Sequence, residues 1–295
     1  MPFIEQILYG HDHLAEAGGR QELAHSAGMG TDASAEIHGL CEAWGQAPEL
    51  GLQYPVLMSH PLQSTMPSMR GRLFAVIRAS AGDKPLFHAV VLTDALYASF
   101  GRNPYAVAGV VEFREDWNGQ RGMERLEIDP EDRPPLVEPE PGQEDVGLVD
   151  EAVLAFLQDG KLQLPLEQGL RDSERALALI IASLPEASRK ELRFASFTTV
   201  KGNNYGIAAV ETEGAAFAAW RRLMMARLDT GATPQQKEYK ELIAGHLAHG
   251  DLNAVHRTST RHNFAAPTTL RQDVALRPGP SEAPAAAKTA AVPVP

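Results

Sequence analysis

Apolar residues gather into runs of strand length between residues 72 and 111. Residues 72–79 (RLFAVIRA) and 86–92 (LFHAVVL) are apolar at nearly every position and flank SAGDKP, a run of turn-forming residues. That pattern predicts a β-hairpin. Residues 105–111 (YAVAGVV) read as a third strand of the same kind. Runs without alternation belong to strands covered on both faces, which puts this hairpin in the middle of a core. Upstream, 3–9 (FIEQILY) leans to strand and stops at Gly10, and 21–26 (QELAHS) is its antiparallel partner across HDHLAEAGGR. Ile37, Leu40, Cys41 and Trp44 then recur at helical spacing between Asp32, a candidate N-cap, and Gly45. Residues 54–60 (YPVLMSH) predict a strand whose proline favours an edge or a strand start. Residues 93–100 (TDALYASF) predict a two-turn helix capped by Thr93 or Asp94 and closed by Gly101.

The composition shifts at Asp129. Residues 129–145 (DPEDRPPLVEPEPGQED) hold prolines and acids with few apolar groups, and read as a linker. Beyond it, Val146, Val149, Val153, Phe156 and Leu157 share a helical face that ends at Gly160, and 161–166 (KLQLPL) alternates as a strand does. Asp172 opens an apolar helix through Leu177, Ile180, Ile181 and Leu184 to Pro185. Residues 194–200 (FASFTTV) and 205–210 (YGIAAV) flank KGNN as a second hairpin. Phe217, Trp220, Met224 and Leu228 form one helical stripe, with Arg221, Arg222 and Arg227 on a solvated or docking face. Thr233-Pro234-Gln235-Gln236 is a capping box leading a helix with Tyr239, Leu242, Ile243 and Leu247, ended by Gly250. Periodicity is lost from about Arg261, and 278–295 is an Ala/Pro-rich tail expected to be disordered. The expected fold is α+β: a first domain over 1–128 with a hairpin-centred sheet and covering helices, a linker over 129–145, a more helical α+β domain over 146–260, and a tail over 261–295.

Charge narrows the function classes. The chain carries a formal −11, and residues 124–151 hold eleven acids against Arg125 and Arg133, so −9 of it lies there. Nucleic acid requires a clustered basic face and is not an expected partner. Cys41 is the only cysteine, which excludes a disulfide framework and a multi-thiolate metal site. The opening has no basic-then-apolar signal, and no run reaches the ~18 apolar residues of a membrane span, so a cytoplasmic protein is expected. His11-Asp12-His13 offers metal-ligand chemistry, with His11 and His13 on one side of an extended chain. No downstream His/Asp set has metallohydrolase spacing, so no metal and no cofactor is assigned. Cys41 sits on an apolar helical face and reads as core, not nucleophile. KGNN lacks the spacing of a phosphate loop, and no catalytic residue is assigned.

The order of short motifs nevertheless resembles a family. Residues 4–10 (IEQILYG), a loop, and 23–28 (LAHSAG) are similar to the amino-terminal domain of bacterial GTPase-associated adaptor proteins of NTP-dependent conflict (defence) systems. There a Gln-x-Leu-Tyr strand leads through a Gly-rich loop to an x-x-Ser-x-Gly strand end and a helix. Residues 184–189 (LPEASR) before 194–199 (FASFTT) resemble a stretch of that family's middle domain, and the two patches span roughly 3–228. The chain departs from the pattern in its His- and acid-rich opening loop and in its Ala/Pro tail. The resemblance implies a non-catalytic scaffold linking a GTPase or other NTPase to effectors, with no catalytic residues to carry over. Contact with that partner is placed at Tyr9, Gly10, His11, Asp12 and His13, since loops on a rigid scaffold carry recognition. Two other readings stay open: a metal-dependent hydrolase using His11 and His13, and an assembly component tethered by its tail.

Overall fold

A computed structural model describes residues 2–12, 19–44, 54–132, 143–166, 169–198, 205–211 and 231–262. β1 (Phe3–His11) lies between β2 (Arg20–Ser26) and β5 (Phe87–Thr93), antiparallel to both. β4 (Leu73–Ala79) pairs antiparallel with β5 and with β3 (Val56–Pro61). The sheet then continues through β9 (Phe194–Thr198), antiparallel to β3, and on to β10 (Ile207–Glu211) and β8 (Leu162–Leu166), both joined in parallel. At the opposite rim β6 (Gly122–Met123) pairs with the end of β2 and β7 (Leu126–Glu127) with the start of β1.

The covered-strand pattern of β4 and β5 has its cause in layers on both faces. On one face α1 (Thr31–Ala43) presses Ile37 and Cys41, with Trp44 just beyond it, onto Ile7, Met58, Ile77 and Phe87. On the other, Leu57, Phe74, Val76, Val90 and Leu92 meet a larger helical layer. That layer comprises α2 (Asp94–Ser99), α3 (Pro104–Ala108), α4 (Gln143–Asp159), α5 (Gly169–Ser183), α6 (Glu186–Arg189), α7 (Pro234–Ala248) and α8 (Leu252–Arg261). The fold is α+β with a mixed sheet. Each large side chain so buried contributes about 1.5–3 kcal/mol.

The two halves share one core. Leu57 and Phe74 cluster with Val149, Phe156 and Ile180, and β3 pairs with β9 at Met58–Ala195 and Ser59–Phe194. The indole N–H of Trp44 donates to the Phe197 carbonyl at 2.9 Å, and Ser196 Oγ accepts from the Leu57 amide at 2.9 Å. The expected division into 1–128 and 146–260 is therefore not a division of the core. β3 is buried on both faces, so its second edge needs a strand, and the later segment supplies it. Within the expected linker, Pro130–Asp132 forms one 3-10 turn and α4 already begins at Gln143.

Other expectations change locally. Residues 105–111 are not a strand: Asn103 Oδ1 accepts from the Tyr105 amide at 3.0 Å with Pro104 at the first helical position, and α3 results. β9 and β10 exist but pair in parallel, so they form no hairpin. The cap of α1 is Gly30, with Asp32 in the first turn. Leu242 stands 39% exposed while Tyr239, Ile243 and Leu247 are buried. α8, capped by Asp251 accepting from the Ala254 amide at 2.8 Å, was not anticipated. His13, the stripe over 217–228 with Arg221, Arg222 and Arg227, and the chain from 263 lie outside the described residues.

Candidate functional site

The expected partner contact begins at the end of β1, and the structure divides it. Alternate residues of β1 face α1, among them Ile7 and Tyr9. Tyr9 is only 2% exposed, and its hydroxyl donates to Glu42 Oε1 at 2.6 Å and accepts from His38 Nε2. Burial, reinforced by the Glu42 carboxylate, pushes this phenol above its ordinary range. Gly10 is buried as well, and a Cβ there would lie 3.2 Å from Leu86 Cδ1. Tyr9 and Gly10 are thus internal, a correction that follows from β1 being covered by α1 and by β2 and β5. His11, opposite Arg20, and Asp12 are half-buried at the rim, where Gln21 donates to Asp12 Oδ2 at 3.1 Å.

Several of the residues that carry the resemblance, Glu5, Gln6 and Ser26 first among them, act as bolts. Glu5, 2% exposed, accepts from Ser26 Oγ at 2.6 Å and the Gly28 amide at 3.2 Å, and pairs with Arg125 Nε at 2.6 Å. Gln6 donates from its amide to Ser26 Oγ at 2.9 Å and from Nε2 to the Glu124 carbonyl at 2.5 Å. His88 lies 2.9 Å from Gln6 Oε1 through Nε2, and its Nδ1 accepts from the Arg114 amide at 2.9 Å. Nδ1 must therefore be bare and Nε2 protonated. Burial, with Arg114 nearby, pushes this imidazole down to about 4. Together these bonds tie β1 and β2 to the irregular strap over 111–128. The second patch is internal too: Arg189, 2% exposed, donates to the Gly101 carbonyl at 2.6 Å and to Ser259 Oγ at 3.2 Å. Desolvation pushes that guanidinium down to about 10.

Beside the bolts a cleft of about 250 Å³ opens between β2 and the strap. Leu23 and Ala24 line it, packed with Leu8, Leu86 and Met123. Its polar lining is Asp12, Gln21, Glu22, His25 and Arg121, with the Trp117 ring beside them. Trp117 is held by its indole N–H donating to the Gln120 carbonyl at 3.1 Å. Glu22 Oε1 lies 2.6 Å from His25 Nδ1, and Glu22 Oε2 accepts from Ser34 on α1. The carboxylate thus stands between hydroxyl and imidazole. In nucleophilic catalysis the base must touch the hydroxyl, so this trio positions side chains and activates none. Among the described residues no strand pairs with β2 on the cleft side before His25.

Cys41 is fully buried, and desolvation pushes its thiol up. Among the described residues, no three His, Cys, Asp or Glu side chains are grouped to hold a metal ion, and no helix is long and apolar enough to cross a membrane. Sequence reasoning missed Glu22, His25, Trp117 and Arg121. One signal was legible: Trp117 is a lone aromatic inside REDWNGQRG, where no core periodicity explains it. No family model, curated protein or solved structure matches this chain.

Proposed function

We propose that the chain is a non-catalytic adaptor that binds a GTPase or other NTPase of a bacterial conflict system, and that it does so at the rim of β2. The observation that carries the binding site is the Trp117-walled cleft at the point where the loop between β1 and β2 returns to the sheet. Its volume of about 250 Å³ falls below the ~300–1,000 Å³ of small-molecule pockets. It suits one anchoring side chain of a protein partner, of the kind that dominates interface energetics. The reactive groups nearby are already engaged with one another: the Tyr9 hydroxyl between Glu42 and His38, and Glu22 between Ser34 and His25. The choice of an NTPase as partner comes from the resemblance alone. Of the expected contact residues, His11 and Asp12 stay in the proposal as rim groups, while Tyr9 and Gly10 support them from inside.

The test is co-expression with an NTPase encoded beside this chain, followed by size-exclusion chromatography. A stable complex lost on Trp117→Ala, with the variant's thermal unfolding unchanged, is the expected result. Nucleotide hydrolysis by the chain alone that survives repurification and disappears with His11→Ala or His25→Ala would overturn the adaptor reading in favour of a hydrolase.

A further inference from the structure

The polar groups of the cleft fall into two sets. Its carboxylates are engaged: Asp12 Oδ2 accepts from Gln21, and the two oxygens of Glu22 are held by His25 and Ser34. Two of its nitrogen groups are not. The exposed Arg121 guanidinium has no ion pair or side-chain hydrogen bond among the described residues. His25 uses Nδ1 on Glu22 and leaves Nε2 without a partner among them, on a side chain 47% exposed. The backbone fixes these two residues side by side, because the His25 amide donates to the Arg121 carbonyl at 3.2 Å.

From this division we infer that the anchoring group of the partner is a carboxylate, borne by an Asp or Glu side chain whose apolar neighbour lies on Trp117. The inference rests on the protein-binding reading above. An acid entering the cleft meets a planar guanidinium whose paired N–H groups match a carboxylate, and it displaces no bond made among the described residues. A base would meet the charge of Arg121 and would have to share carboxylates that already accept from Gln21, His25 and Ser34. The fixed indole gives the apolar part a flat surface with little entropy to lose.

The experiment is an NMR titration of the full-length, nitrogen-15-labelled chain with four N-acetylated peptides. They are N-acetyl-Phe-Glu-amide, its Gln and Lys counterparts, and N-acetyl-Phe-Gln with a free terminal carboxylate. The glutamate peptide should shift the Trp117 indole and His25 signals and bind about fivefold more tightly than the Gln amide, the factor an exposed ion pair of ~1 kcal/mol supplies. In Arg121→Glu, an exposed substitution that leaves the His25–Arg121 backbone bond in place, that preference should disappear and the lysine peptide should bind best. Equal binding of the Glu, Gln and Lys amides, all abolished by Trp117→Ala, overturns the carboxylate assignment and leaves the cleft as a binding site. Binding of the free-terminus peptide as tight as that of the glutamate amide overturns the side-chain assignment in favour of a chain end. No shift at Trp117 with any peptide overturns the inference. The adaptor reading itself fails separately, if no NTPase complex forms or the chain alone hydrolyses nucleotide, and an NTPase complex that survives Trp117→Ala removes the cleft from the contact.

Discussion

Gly28→Ala tests whether the Glu5 bolt holds the β1–β2 end together. An added Cβ at Gly28 would stand 1.9 Å from Glu5 Oε1, 2.2 Å from Arg125 Nη2 and 2.5 Å from Glu5 Cδ. Separations that short require a shift. The Arg125 tip can move outward, since that side chain is 44% exposed, but the Glu5 side chain is only 3% exposed and held on both oxygens. Clearing the methyl therefore pulls a buried carboxylate away from Ser26 Oγ, the Gly28 amide and Arg125. Each bond lost by the buried carboxylate costs about 1.5–3 kcal/mol, and the pair with the half-exposed Arg125 adds less than a fully buried pair would. Partial relaxation sets the expected loss at roughly 3 kcal/mol, a large share of the ~5–15 kcal/mol typical of a folded domain. Backbone strain does not enter, because Gly28 is not among the glycines with positive φ.

The assay is equilibrium urea unfolding, read from the midpoint at unchanged slope. Gly39→Ala is the internal control. No atom lies within 4 Å of a Cβ at Gly39, in the interior of α1, so this variant should gain about 0.5–1 kcal/mol. A double-mutant cycle completes the test. If the methyl acts through the carboxylate, Glu5→Ala should cost about 1–2 kcal/mol less in the Gly28→Ala background than alone. A Gly28→Ala loss below about 0.5 kcal/mol with an additive cycle would refute the bolt.

Acid should loosen the same region through His88, whose folded pKa of about 4 lies below its ordinary 6.5. The unfolded chain takes up this proton first, so stability present above pH ~6.5 is lost as pH falls toward ~4, by up to roughly 3 kcal/mol. His60, pushed down to about 3 by burial, adds to that slope, and His88→Gln with His60→Gln should flatten urea midpoints between pH 6.5 and 5. Cys41→Ala should cost on the order of 1 kcal/mol and Cys41→Asp several. A thiol reagent should label Cys41 only on unfolding, and rapid native labelling would contradict its burial. A protease site engineered into 133–142 and cut should leave two pieces that co-elute under native conditions, held by the β3–β9 pairing and the Trp44–Phe197 bond. Separation of the pieces would show that two independent domains exist after all.

What could be read from the sequence was local and periodic. The β4–β5 hairpin, the β1–β2 pair, the buried stripe of Ile37, Cys41 and Trp44, and the Thr233–Gln236 capping box depend on residues within one turn or one strand of each other. Residues 105–111 went wrong because Val and Ala suit either state, and the cap at Asn103 settled it. The β3–β9 join was invisible because strand partners far apart in sequence leave no periodic trace, and the parallel pairing of β9 with β10 because apolar periodicity carries no strand direction. A Pro/acid run looked like a boundary, yet sheet pairing and not composition decides where a core ends.

The site was harder to read for a related reason. The eye goes first to dense chemistry, and His11-Asp12-His13 is the densest cluster in the opening. The cleft instead draws on three separate stretches, residue 12, residues 21–25 and residues 117–121, none of them conspicuous alone. Those stretches meet because Glu5 and Gln6 anchor the strap across the sheet rim through Arg125, Glu124 and His88, so these two motif residues shape the cleft without lining it, while Leu23, Ala24 and His25 of the same motif line it. A short motif can therefore combine residues that hold a sheet rim together, such as Glu5, Gln6 and Ser26, with residues that line a cleft there. By that logic, changes at Ser26 or Gly28 should impair partner binding only together with stability, whereas changes at Trp117 or Arg121 should impair binding alone.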